Sequence, residues 1–163
     1  MVANDYCRLD SLFEKATNYI NRYMAYSKQV IERFEGALNN PQKYSVGRFD
    51  PKDPNVATGM TGAPACGDVM RIQFKIDEES ETIEDVKFKT YGCGSAIASS
   101  SVLVEFLKGK TIEQAKEVKD KEIAEVLDLP PIKIHCSVLA EDSIQKAVED
   151  WETKRQHRKH NQQ

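Results

Sequence analysis

Met70-Arg71-Ile72-Gln73-Phe74-Lys75-Ile76-Asp77 alternates apolar and polar residues without a break. Successive side chains of an extended chain point to opposite faces, so this segment reads as a half-buried strand. Glu78-Glu79-Ser80 supplies a polar turn, and Val86 and Phe88 then alternate with Asp85, Lys87 and Lys89 in a second strand. The two predict an antiparallel hairpin with its charges outside. The inner, apolar face of such a hairpin must be covered, here by helices.

Working outward, Val56 opens a short strand leading to a turn at Gly59-Met60-Thr61-Gly62, and Gly36 to Pro54 reads as a loop. Before it, Leu9, Leu12, Phe13, Ala16, Ile20, Tyr23, Val30, Ile31 and Phe34 recur at helical spacing, with a break near Tyr26-Ser27. Downstream of the hairpin, Ser95 to Leu107 has helical length, and its serine triplet reads as packing and capping rather than as nucleophiles. Thr111 with Gln114 has capping-box spacing, and Asp120 is placed to cap a further helix. Pro130-Pro131 leaves Leu129 to Ile134 extended. A last helix from Cys136 or Ser137 buries Ala140, Ile144, Ala147, Val148 and Trp151, and the basic run from Lys154 to His160 reads as its frayed, solvated end.

The chain has 163 residues, 40% hydrophobic and 30% charged, as expected of one soluble globular domain. A net charge of -3 leaves no basic surplus for nucleic acid. No apolar run approaches the roughly 20 residues of a membrane span. The first 27 residues lack a secretory apolar core, and Asp5, Asp10 and Glu14 are too acidic for an ordinary mitochondrial presequence. Four cysteines without a secretory signal point to a reducing compartment and to ligation or catalysis rather than disulfides.

Three of those cysteines stand at element ends. Cys66 lies in the turn Gly62-Ala63-Pro64-Ala65-Cys66-Gly67-Asp68, Cys93 where a strand gives way to a helix, and Cys136 at the start of the last helix. Helix N-termini favour thiolate over thiol, so Cys93 and Cys136 are poised to bind metal or attack sulfur. Asp68 and His135 lie beside them, giving three thiolates plus a carboxylate or an imidazole, a set that fits tetrahedral zinc or a [2Fe–2S] cluster. A carboxylate is a harder, weaker match for cluster iron than a fourth thiolate, which suits a carrier better than an electron-transfer site. Cys7 has no ligand type near it and reads as a small apolar residue or free thiol.

Gly62-Ala-Pro-Ala-Cys66-Gly-Asp68-Val-Met70, Lys89-Thr-Tyr-Gly-Cys93-Gly-Ser-Ala-Ile-Ala-Ser-Ser-Ser101 and Leu129-Pro-Pro-Ile-Lys133-Ile-His-Cys136-Ser-Val-Leu-Ala-Glu-Asp142 closely resemble the IscU-type iron–sulfur cluster assembly scaffold. The resemblance implies an α+β, IscU-like fold over 26–153, a small antiparallel β-sheet of about three strands packed against several helices; residues 1–25 match nothing in the family core and read as an N-terminal helical extension or leader, and 154–163 as a basic tail. It implies a non-enzymatic scaffold building transient [2Fe–2S] clusters from iron and persulfide sulfur. Cys66, Asp68, Cys93, His135 and Cys136 are then the metal and cluster ligands, with Cys136 the persulfide acceptor. Leu129, Pro130, Pro131, Ile132 and Lys133 become the segment gripped by an Hsp70 chaperone with its J-protein. Further partners are a cysteine desulfurase complex, frataxin, a ferredoxin and recipient apo-proteins. The implied compartment is the mitochondrial matrix or a mitochondrion-related organelle, with cytoplasm the alternative. The competing function is a zinc-bound sulfur acceptor that assembles no cluster; a third reading is a zinc-stabilised structural domain.

Overall fold

The hairpin forms as the alternation predicts. The computed structural model describes residues 26–63 and 67–160. Cys7, the helical pattern from Leu9 to Tyr23, the extension over 1–25 and Cys66 lie outside the described residues. In chain order the elements are α1 (Lys28–Asn39), β1 (Val56–Ala63), β2 (Asp68–Ile76), β3 (Ile83–Tyr91), α2 (Gly94–Leu107), α3 (Ile112–Lys116), α4 (Asp120–Leu127), a 3₁₀ turn (Pro131–Lys133) and α5 (Ile134–His160). The strands form one antiparallel sheet in the order β1-β2-β3, with Ile72 paired to Gly59 on one side and to Phe88 on the other.

Met70, Ile72, Phe74 and Ile76 face inward with Ala57 and Val86, all buried. At roughly 1.5–3 kcal/mol per large apolar side chain, this face supplies much of the drive to fold. Two long helices cover it. α5 presents Leu139, Ala140, Ile144, Ala147, Val148 and Trp151 at three- and four-residue spacing, and α2 is buried over most of its surface. The serine run packs as expected: Ser100 bonds to Thr90 and to the Ala96 carbonyl, and Ser101 accepts from Arg33.

Several local expectations are corrected. Gly59 to Gly62 belongs to β1 and is not a turn; a Cβ at Gly59 would lie 1.9 Å from the Ser143 carbonyl oxygen, so the glycine lets α5 press against the strand. α1 continues past Gly36 to Asn39, and the glycine leaves room for the Tyr44 ring, which occupies the space a side chain there would need. Gln73, on the polar outer face, is nevertheless 2% exposed, held by the Phe49 N–H and by Thr58 under a loop.

The helix starts also shift. Lys119 rather than Asp120 is the cap residue of α4, and the Asp120 N–H donates to Glu141. Thr111 and Gln114 do form the capping box on α3. Pro131 sits at the first position of a 3₁₀ turn, where its fixed φ and missing N–H are tolerated, so only part of Leu129 to Ile134 is extended. α5 therefore begins at Ile134, two residues ahead of Cys136, and stays helical to His160. Its basic end is engaged, not frayed: Lys154 donates to the Val56 carbonyl, Arg155 pairs with Glu81, and Arg158 lies over Trp151. Among the described residues no helix is long and apolar enough to cross a membrane.

Candidate metal centre

Strand parity brings the first ligand in. Asp68 shares its face with Met70 and Ile72, so it points inward from the end of β2 nearest the starts of α2 and α5, and is only 2% exposed. Cys93 is the residue at the start of α2, with extended backbone (φ -72, ψ 165). Its N–H donates to Asp68 Oδ1 at 2.9 Å, and its sulfur lies 3.6 Å from Asp68 Oδ2. Gly92 makes this fit possible, since a Cβ there would stand 2.1 Å from Asp68 Oδ1.

The other half of the site comes from the first turn of α5. Cys136 is fully buried, with its sulfur 3.5 Å from that of Cys93. His135 projects beside it, Nε2 lying 3.3 Å from the Cys136 sulfur and 3.6 Å from Asp68 Oδ2. Its Nδ1 is 3.2 Å from the Ile132 carbonyl. A carbonyl only accepts, so this bond places the ring proton on Nδ1 and leaves the Nε2 lone pair facing the site, the tautomer a metal requires.

The two thiols share a proton unequally. Donation from the Cys136 thiol holds Cys93 below the ordinary thiol range, against the opposing effect of its partial burial. The same bond pushes Cys136 upward, and burial adds to it. The Lys133 ammonium favours the thiolate at both positions. Lys133 also lies 5.6 Å from the centre of the Tyr26 ring, which packs against Gly94 at the start of α2.

Asp68, Cys93, His135 and Cys136 thus bring one ligand atom each to within 4.8 Å of one another. One carboxylate, one imidazole and two sulfurs can close around a single tetrahedral ion, and the sulfurs suit iron or zinc. Four of the five expected ligands converge; the fifth, Cys66, lies outside the described residues. Of the expected chaperone segment, Ile132 is 73% exposed, while Leu129 packs against the core. Sequence reasoning missed Gly92 and the Ile132 carbonyl as parts of the site. A glycine immediately before a ligand was the available sign of a close backbone approach.

Four side chains able to hold one metal ion, gathered at the strand and helix ends of a small antiparallel sheet, point to a class of protein. The chain belongs to the NifU-like N-terminal domain family, whose model matches residues 25–158. The sequence is similar to curated relatives named iron–sulfur cluster assembly scaffold protein IscU. That of Azotobacter vinelandii is 59% identical over 132 residues, covering 81% of this chain and 98% of the relative. That of Escherichia coli strain K12 is 56% identical over 133 residues, covering 82% and 98%. The solved N-terminal part of a NifU-like protein from Brucella abortus shares the fold, with a TM-score of 0.61 at 16% identity over 80% of this chain and 96% of that one. The IscU-type resemblance and its α+β fold are borne out.

The expected compartment is corrected. Curated relatives from Azotobacter, Haemophilus, Escherichia and Rickettsia come from bacteria, organisms without a mitochondrial matrix, and the alternative expectation of cytoplasm is the one that fits.

Proposed function

We propose that this chain is a scaffold on which [2Fe–2S] clusters are assembled and from which they pass to apo-proteins. The observation that carries this reading is the convergence of Asp68, Cys93, His135 and Cys136 within 4.8 Å. The cluster is cargo. A donor set containing a carboxylate and an imidazole holds it less firmly than four thiolates, which favours release.

Sulfur arrives as the persulfide of a cysteine desulfurase, with Cys136 as acceptor. The Cys136 thiolate attacks the outer sulfur; a new S–S bond forms as the donor's S–S bond breaks, and the donor cysteine leaves as thiolate. Cys136 is fully buried and is the protonated member of its pair, so transfer requires the site to open. His135, whose side chain is 33% exposed, is the side from which it opens. Reduction of the delivered sulfur to sulfide takes two electrons, the part assigned to a ferredoxin. Frataxin is the helper of assembly. Leu129 to Lys133, with Ile132 outermost, is the handle for an Hsp70 chaperone and its J-protein.

Incubating the protein with desulfurase and cysteine, then mapping persulfide by mass spectrometry, tests the acceptor role. Label on Cys136, absent in Cys136→Ser, supports it; label confined to Cys93 or Cys66 refutes it. The same four donors also make a tetrahedral zinc set, which favours a zinc-bound sulfur acceptor as the second reading. Stoichiometric zinc that iron and the desulfurase fail to displace decides for that alternative.

A further inference from the structure

The far end of α5 carries polar atoms that the metal centre does not use. Trp151 is 1% exposed, and its indole Nε1–H meets no acceptor among the described residues. The Nε and Nη2 atoms of Arg158 are likewise out of solvent and meet none. The guanidinium lies over the Trp151 ring, 4.8 Å from its centroid, and Nη1 is the engaged nitrogen, 3.2 Å from both Asn55 Oδ1 and Glu78 Oε1. A cleft of about 230 Å³ opens beside them, lined by Glu78, Trp151, Arg155, Arg158 and Lys159.

Donors removed from water and left bare are costly, and native structures pair nearly all of them. Here three occur on two side chains that line one cleft. Nε and Nη2 form one edge of the guanidinium, two parallel N–H groups whose spacing matches two oxygens of a phosphate or carboxylate. Arg155 is paired with Glu81 and Arg158 with Glu78, and Lys159 adds a third cation to the lining. A water molecule would satisfy one or two of the three donors, whereas the several lone pairs of an oxyanion can accept from all of them.

We propose that this cleft is an oxyanion site, taking a phosphate group or a carboxylate on the Nε/Nη2 edge of Arg158 with the Trp151 N–H as a further donor. Arg158 also holds Asn55 and Glu78, and Arg155 pairs with Glu81, so a bound anion ties the end of α5 to the β2–β3 turn. Arg158 lies 22 residues beyond Cys136. At 1.5 Å per residue the site is roughly 33 Å along α5 from the metal centre and can be probed without disturbing it.

Trp151 is the only tryptophan in the chain, so its indole ¹H–¹⁵N signal reports this site alone. The full-length protein is titrated with inorganic phosphate and separately with acetate, against sodium chloride at matched ionic strength. A saturable displacement of the indole signal by phosphate, by acetate or by both, absent with chloride, supports the site and identifies the anion. Arg158→Lys keeps the charge and loses the two-donor edge, and is expected to weaken binding about tenfold, or about 1.4 kcal/mol. No saturable change with either anion, an equal change with chloride, or undiminished affinity in a folded Arg158→Lys protein overturns the proposal. Should that variant fail to fold, the wild-type titration decides alone.

Discussion

Asp68 accepts the Cys93 backbone N–H through Oδ1 at 2.9 Å, while its Oδ2 stands 3.6 Å from the Cys93 sulfur and 3.6 Å from His135 Nε2. One oxygen thus fastens the start of α2 to the end of β2, and the other faces the Cys93 sulfur and the His135 imidazole. Asparagine keeps an acceptor for the N–H but loses the anionic ligand; alanine loses both. Asp68→Asn is therefore expected to change stability by less than about 1 kcal/mol while altering cluster retention and transfer. Asp68→Ala is expected to cost about 1–3 kcal/mol as well, because a buried donor is left unpaired. Urea unfolding, alongside cluster release followed by absorbance, separates the two roles.

Gly92→Ala is the steric counterpart. Its Cβ would stand 2.1 Å from Asp68 Oδ1, and the carboxylate must leave the site. Metal affinity measured by chelator competition is expected to fall at least about tenfold, roughly 1.4 kcal/mol, with the sheet retained by circular dichroism. Wild-type affinity in this variant would contradict the assigned place of Asp68.

Gly59→Ala tests the packing of α5 on β1. The added methyl meets the Ser143 carbonyl oxygen at 1.9 Å and the Ala147 nitrogen at 2.6 Å, backbone atoms that a rotamer change cannot move. Destabilisation of roughly 2–3 kcal/mol or more is expected. Gly62→Ala, whose nearest neighbour would lie 3.7 Å away, is the control and is expected to change stability by less than about 0.5 kcal/mol. Denaturant midpoints of the two variants check this.

The thiol pair gives a prediction in pH for the metal-free protein. Cys93 is held low by the proton that Cys136 donates, so as pH falls its alkylation by iodoacetamide persists below the ordinary thiol range of about 8.5. Cys136, pushed up, stays unreactive until pH rises above that range. Cys136→Ala removes the donor, so Cys93 is expected to need a higher pH for the same rate. Rates read peptide by peptide in the mass spectrometer distinguish the cysteines.

Much of this was legible because it was local. Met70, Ile72, Phe74 and Ile76 alternate in the sequence and are all buried on one face; Thr111 and Gln114 have the spacing of a capping box and form one. Cys93 stands where a strand pattern gives way to a helical one, and it begins α2. What escaped was long-range. Gly59 looks like a turn former from its neighbours alone, and only the approach of α5, more than eighty residues later, explains it as strand. Gly36 resembles a helix stop until Tyr44 is seen to fill the space beside it. Gln73 reads as solvent-facing because alternation cannot foresee the Phe49 loop that covers it.

The centre was legible as chemistry before it was legible as geometry. Cysteine, aspartate and histidine at three element ends pointed to one metal, but the tautomer of His135 depends on the Ile132 carbonyl. The unequal sharing of the proton depends on the 3.5 Å between Cys93 and Cys136. Neither distance is written in the spacing of residues.

Anaerobic reconstitution with ferrous iron, cysteine and a cysteine desulfurase, read by visible absorption, iron and sulfide content, and transfer to an apo-ferredoxin, tests the scaffold claim most directly. Equal iron and sulfide in a transferable cluster, lost in Cys93→Ala and Cys136→Ala, is the expected result. Persulfide uptake with zinc retained and no cluster formed would contradict it.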